Sequence, residues 1–155
     1  MRVVRAVAVL RGEPGVSGIA TFEQAAEGAP TRIQIEVHGL APGKHGVHIH
    51  EFGDITNGLT STGAHYNPHG HQHAGPQDAA RHAGDLGNIE APSGDVARLD
   101  ITDKQVQLIG PLSVVGRALV VHADEDDLGR GGVELSLTTG NSGARLTGGV
   151  IGIAQ

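Results

Sequence analysis

Glycine occurs 25 times in this chain and proline seven times, and neither residue favours the interior of a helix. Between them the apolar residues, mostly Val, Ile, Leu and Ala, leave only Phe22, Phe52 and Tyr66 as aromatics. That is the composition of an all-β protein with many turns. Residues 32–38 show the pattern: Ile33, Ile35 and Val37 share one face, and Arg32, Gln34 and Glu36 the other, as in a half-buried antiparallel strand. Similar runs are read at residues 5–10 and 16–23, hinged at the Glu13-Pro14-Gly15 turn, and at 85–91, 95–101, 105–109, 117–122 and 145–153.

One more strand carries the sequence Gly46-Val47-His48-Ile49-His50. Side chains two apart share a face, so His48 and His50 look one way while Val47 and Ile49 point into apolar surroundings. Beyond it the periodicity stops. Residues 53–84 are rich in Gly, Pro, Thr, Asn and His, and residues 123–142 form a second polar loop. Loops of that length in a compact chain are commonly functional. Short strands with two long loops predict a β-sandwich or barrel, a single domain over residues 1–155.

The formal charge of −6 argues against nucleic acid or an anionic membrane as a partner. Cysteine is absent, which excludes disulfides and thiolate metal sites. The N-terminal stretch reads as too short and too charged for a signal peptide, and no segment is long enough to span a membrane, so a cytoplasmic protein is expected. Histidine is the anomaly, with ten copies against 11 Lys plus Arg. It is the commonest metal ligand.

Seven residues form the candidate constellation: His48, His50, His65, His73, His82, Asp85 and His122. His82 and Asp85 are three apart, close enough for one tight turn to bring both to one ion. Three imidazoles and a carboxylate suit tetrahedral zinc. His122 ends the run at 117–122, a strand able to lie beside His48 and His50, and a roughly planar set of imidazoles suits Cu(II). Each element alone has a plain reading as surface or hydrogen-bonded histidine. Spacing leaves His69, His71 and His73 equal as ligands, and residue-level reasoning ends at a His-rich metal site on an all-β domain.

Seven segments resemble one family: residues 46–54 (GVHIHEFGD), 65–68 (HYNP), 81–88 (RHAGDLGN), 117–123 (RALVVHA), 126–132 (DDLGRGG), 141–146 (NSGARL) and 149–152 (GVIG). Together they resemble the copper–zinc superoxide dismutases of the eukaryotic-like cytosolic type, nearly end to end. The resemblance implies an eight-stranded antiparallel Greek-key β-barrel or sandwich with two long functional loops. It implies copper on His48, His50, His65 and His122, and zinc on His65, His73, His82 and Asp85, with His65 bridging the two and taking part in catalysis. Asp126 would accept hydrogen bonds from a copper-side and a zinc-side histidine, and Arg145 would hold the superoxide anion. His45 would be structural and His38 solvated. Val7, Val9, Phe52, Gly53, Val115, Gly116, Ile151 and Ile153 match the family's dimer surface, so a homodimer is expected; the alternative is that the same apolar set belongs to the core.

Two departures stand out. The family's disulfide positions are Leu59 and Gly148 here. In the second loop Glu134 is kept, but Leu135 and Thr138 replace a second acid and a lysine, which predicts slower and less salt-dependent capture of superoxide. The alternatives to dismutation are a copper- or zinc-binding or buffering protein, with His69 and His71 extending the loop, and the same fold turned to another reaction with zinc only.

Overall fold

The computed structural model describes residues 3–93 and 96–155. The first three strands, β1 (Val4–Gly12), β2 (Ser17–Gln24) and β3 (Thr31–His38), form an antiparallel meander. In β3 burial alternates as the sequence does, with Ile33, Ile35 and Val37 buried and Arg32 and Gln34 exposed. The remaining strands are β4 (Gly43–His50), β5 (Thr56–Leu59), β6 (Asp85–Ala91), β7 (Ala97–Asp103), β8 (Ala118–His122), β9 (Arg145–Val150) and β10 (Gly152–Ala154).

Hydrogen bonding links them in the order β6-β4-β8-β9-β1-β2-β3-β7, every pairing antiparallel. β10 continues β9 past a break at Ile151 and pairs with β1 through Arg5, Ala6 and Val7. The end strands β6 and β7 pack side by side without a ladder, which nearly closes the barrel. The connections from β3 to β4 and from β7 to β8 jump between non-neighbouring strands, as in a Greek key. Phe22, Ile33, Ile35, Val47, Ile49, Ile89, Leu119, Val121 and Ile151 fill the interior, with the small Ala6, Ala8 and Ala20 facing them. Each buried Val, Leu, Ile or Phe contributes on the order of 1.5–3 kcal/mol.

Three expectations change. The run at 105–109 is not a strand: its backbone groups are taken by side chains instead of a ladder. Asp103 accepts from the amides of Gln105 and Val106, and the Gln24 Oε1 accepts from those of Leu108 and Ile109. The run at 145–153 is divided into β9 and β10. Within the first long loop, residues 56–59 form the short strand β5, which lies outside the sheet path. The reading of 95–101 starts at Asp95, outside the described residues; from Ala97 on it is β7. No helix among the described residues is long and apolar enough to cross a membrane.

Candidate metal centre

Val47 and Ile49 of β4 point into the core, which leaves His48 and His50 on the barrel's outer face. The two long loops roof that face, so all six residues from His45 to His50 are buried. The first loop is tied down by backbone pairing: Tyr66 N–H donates to the Ile49 carbonyl, Glu51 N–H to Ala64, and His50 bridges His65. Arg117 stacks on the Tyr66 ring at 3.9 Å and donates to the Glu51 carbonyl. Register shifts fall between Gly46 and His48 in β4 and between Val121 and His122 in β8. Such irregularities re-aim side chains, and both flank the histidine cluster.

Two four-residue groups result, each with its ligand atoms within 4.8 Å of one another: His48, His50, His65 and His122, and His65, His73, His82 and Asp85. His65 belongs to both. All seven side chains are buried. In the second group the Asp85 Oδ1 lies 3.1 Å from His65 Nδ1, 2.8 Å from His73 Nδ1 and 3.2 Å from His82 Nδ1. Asp85 Oδ2 is held by the amides of Ala74 and His82. Asp126 sits behind the two groups, accepting from His48 Nε2 at 2.6 Å and from His73 Nε2 at 2.7 Å. Asn88 fixes Asp126 in turn, through bonds to its backbone N–H and carbonyl.

The proton positions leave lone pairs where cations fit. His50 Nδ1 donates to the Gly63 carbonyl and His122 Nδ1 to the Gly143 carbonyl, so their Nε2 atoms are bare, and these face each other at 3.3 Å. His48 Nδ1 and His65 Nε2 are buried with no hydrogen-bond partner among the described residues. A buried polar atom left unpaired is costly, and four inward lone pairs are a ready set for one metal ion. In the second group the spacings of 2.8–3.2 Å approach the edge of about 3.3 Å that Zn–N and Zn–O bonds of about 2.0–2.2 Å require in a tetrahedron. Both sets fit metal.

Electrostatics divide the groups. Burial, reinforced by neighbouring imidazoles, lowers His48 and His65, and carries His50 to about 2 and His122 to about 4. These rings are neutral and free to ligate at neutral pH. Burial also opposes charge on His73, but its bonds to Asp126 and Asp85 outweigh it and raise the ring to about 9. For Asp85 burial favours the neutral acid, and hydrogen bonds from His65, His73 and His82 overcome that and hold it well below the usual carboxylate range.

Beside the first group opens a cleft of about 430 Å³, lined by His50, His65 and His122 together with Leu135, Thr138 and Arg145. Arg145 Nη1 donates to the Leu59 carbonyl at 2.8 Å and to Thr62 Oγ1 at 3.0 Å, which leaves its other N–H groups for a ligand. A model of the copper/zinc superoxide dismutase family matches residues 16–151. The chain belongs to that family. It is a superoxide dismutase by descent, and its cofactors are copper and zinc.

The structure brings every predicted ligand into one of the two groups and leaves His69 and His71 outside, both exposed. His45 is buried between the carbonyls of His122 and Ala41, a structural role, and His38 is exposed at a strand end. Of the matched dimer surface, Val9, Phe52 and Ile153 are exposed, whereas Ile151 is fully buried in the core and offers no surface. Sequence reasoning missed Arg81 as a positioning residue. It is buried, makes two 2.7 Å bonds to Asp103, and donates to the carbonyls of Pro76, His82 and Ala83. Nothing in the spacing of Arg81 and Asp103 signals that pair.

Proposed function

We propose that His48, His50, His65 and His122 hold copper, that His65, His73, His82 and Asp85 hold zinc, and that His65 bridges the two. The inward lone pairs of the first group carry this reading. When bound, copper would supply one-electron chemistry, oxidising one superoxide to dioxygen and, with the uptake of two protons, reducing a second to hydrogen peroxide. The remaining work belongs to the chain. Arg145, anchored on Leu59 and Thr62, orients the anion in the cleft with its free N–H groups. His65 holds a proton at Nε2 in one half of the cycle and gives it up in the other. Asp126 holds the Nε2 protons of His48 and His73, which leaves His48 Nδ1 bare and aims His73 Nδ1 into the second group, where a bound zinc ion would take the place of the proton it shares with Asp85. The exposed Val9, Phe52 and Ile153 support a homodimer. The cysteine-free sequence supports residence in a reducing cytoplasm.

Pulse radiolysis of protein reconstituted with both metals, normalised to bound copper, tests the assignment. Fast second-order decay of superoxide is expected, abolished in His122→Ala. Arg145→Ala loses the ~1.5–3 kcal/mol of a charged hydrogen bond, about 10–100-fold in rate. Decay no faster than a free copper–imidazole control overturns the reading.

A further inference from the structure

Four histidines lie outside both groups, His38, His45, His69 and His71, and the last two stand side by side with no role assigned above. His69 and His71 are exposed, their rings are 6.4 Å apart, and their ring nitrogens have no hydrogen-bond partner among the described residues. The backbone that carries them is fixed. The Asn67 side chain accepts from His71 N–H at 3.0 Å and donates to the His71 carbonyl at 2.9 Å, which closes residues 67–71 into one turn.

His71 also lines an open cavity of about 540 Å³ whose other walls include Glu51, Asn67, Gln72 and Leu137. His65 and His82, two members of the second group, line the same cavity. His82 is the most exposed residue of the group, at 7%. The cavity therefore joins His71, with His69 beside it, to the buried second group; it borders the cleft that holds Arg145 and shares Ala64, His65 and Thr138 with it. The Glu51 carboxylate on its wall makes no ion pair with any described side chain, so a cation moving inward passes a negative charge.

We propose that His69 and His71 form an auxiliary, exchangeable zinc site at the mouth of this cavity, from which the buried second group is loaded. Zn–N bonds of about 2.0–2.1 Å at a tetrahedral angle need ligand nitrogens about 3.3 Å apart. Two unpacked rings 6.4 Å apart at their centroids reach that by side-chain rotation alone. Two imidazoles leave at least two positions to water, so the ion is held weakly enough to leave. The loading step rests on the assignment of zinc to the second group; the auxiliary site does not.

The test uses the protein carrying both resident metals and zinc ion as the probe. Calorimetric titration is expected to show one further zinc per chain, lost in His69→Gln/His71→Gln with both resident metals retained. No further zinc, or a further zinc that survives the double substitution, overturns the site. Zinc uptake by the metal-free protein at limiting zinc, followed by stopped flow with a chromophoric chelator, is expected to slow several-fold in the double variant with unchanged final content. An unchanged uptake rate overturns the loading role. A failure of the zinc assignment itself appears separately, as a reconstituted protein that holds no resident zinc before the titration begins.

Discussion

Asp126 and Gly140 determine how well the two metal groups are set. Asp126 accepts one N–H from each group, and an asparagine at that position offers a single acceptor oxygen, with an NH₂ that would confront an imidazole N–H. Asp126→Asn therefore forces His48 or His73 into the other tautomer and turns a ligand lone pair away. Metal affinity should fall about 10–100-fold, read by competition with a chelator, while the fold stays intact by circular dichroism. Gly140 has φ of +72°, and a Cβ there would collide with Asp126 Oδ1 and His73 Nε2. Gly140→Ala should produce the same loss of affinity by pressing on that bond; unaltered zinc retention in both variants would show that Asp126 does not set the ligands.

At the level of elements, the missing disulfide has a visible substitute. Leu59 ends β5, and its Cδ2 lies 3.0 Å from where a Gly148 Cβ would stand in β9. An apolar side chain thus fills the space above a glycine, and the Leu59 carbonyl still receives Arg145. Replacing both residues by cysteine should form a bridge under mild oxidant and add ~2–4 kcal/mol to stability. Urea unfolding with and without reductant measures it; a double variant with free thiols after oxidation would show that the two strands do not face each other. Strands were legible where alternation was clean, as in β3; β6 also spans residues 85–91 as expected, although six of its seven residues are buried or half-buried without alternation. They were illegible where side chains replaced a ladder: Gln24 and Asp103 satisfy residues 105–109 from far away in sequence. β5 was hidden for the opposite reason, since its TNGL sequence has no apolar alternation to mark it. The residues that gather into the two candidate metal groups were legible through the family's motifs; the Arg81–Asp103 pair, which nothing local announces, was not.

Across the whole molecule, burying neutral imidazoles has a cost in acid. In the metal-free protein His50 and His122 titrate at about 2 and about 4, below the ~6.5 of an unfolded histidine. Between these values the unfolded chain binds more protons, so stability falls as pH drops below about 6.5, by up to about 1.4 kcal/mol per pH unit for each ring. His73, raised to about 9, works the other way. Its contribution is complete below pH 6.5 and is lost only as pH rises toward 9, so it does not offset the acid loss. Metal-free protein should show a lower urea midpoint at pH 5 than at pH 7, and equal midpoints would contradict neutral burial of these rings.

Net charge acts at the same scale on the substrate. A molecule of charge −6 repels superoxide at long range, so capture depends on local positive charge at the cleft. Among the residues lining it, Arg145 is the one permanent cation; Thr138 is neutral and Leu135 is 52% exposed and apolar. Arg145 is half-buried at the floor and paired with Leu59 and Thr62, which suits it to holding the anion after entry more than to drawing it in from a distance. Steering of an anion by exposed charge is screened by salt, and the Debye length shortens from ~30 Å at 0.01 M to ~10 Å at 0.1 M ionic strength. The wild-type rate should therefore change little over that range, because repulsion by the net charge is screened along with any attraction. Thr138→Lys places a cation at the rim and should raise the rate several-fold at 0.01 M, with the gain shrinking as salt is added. Rates from pulse radiolysis at both ionic strengths decide it. A wild-type rate that falls with salt as steeply as that of Thr138→Lys would mean that positive charge elsewhere on the surface already guides superoxide to the cleft.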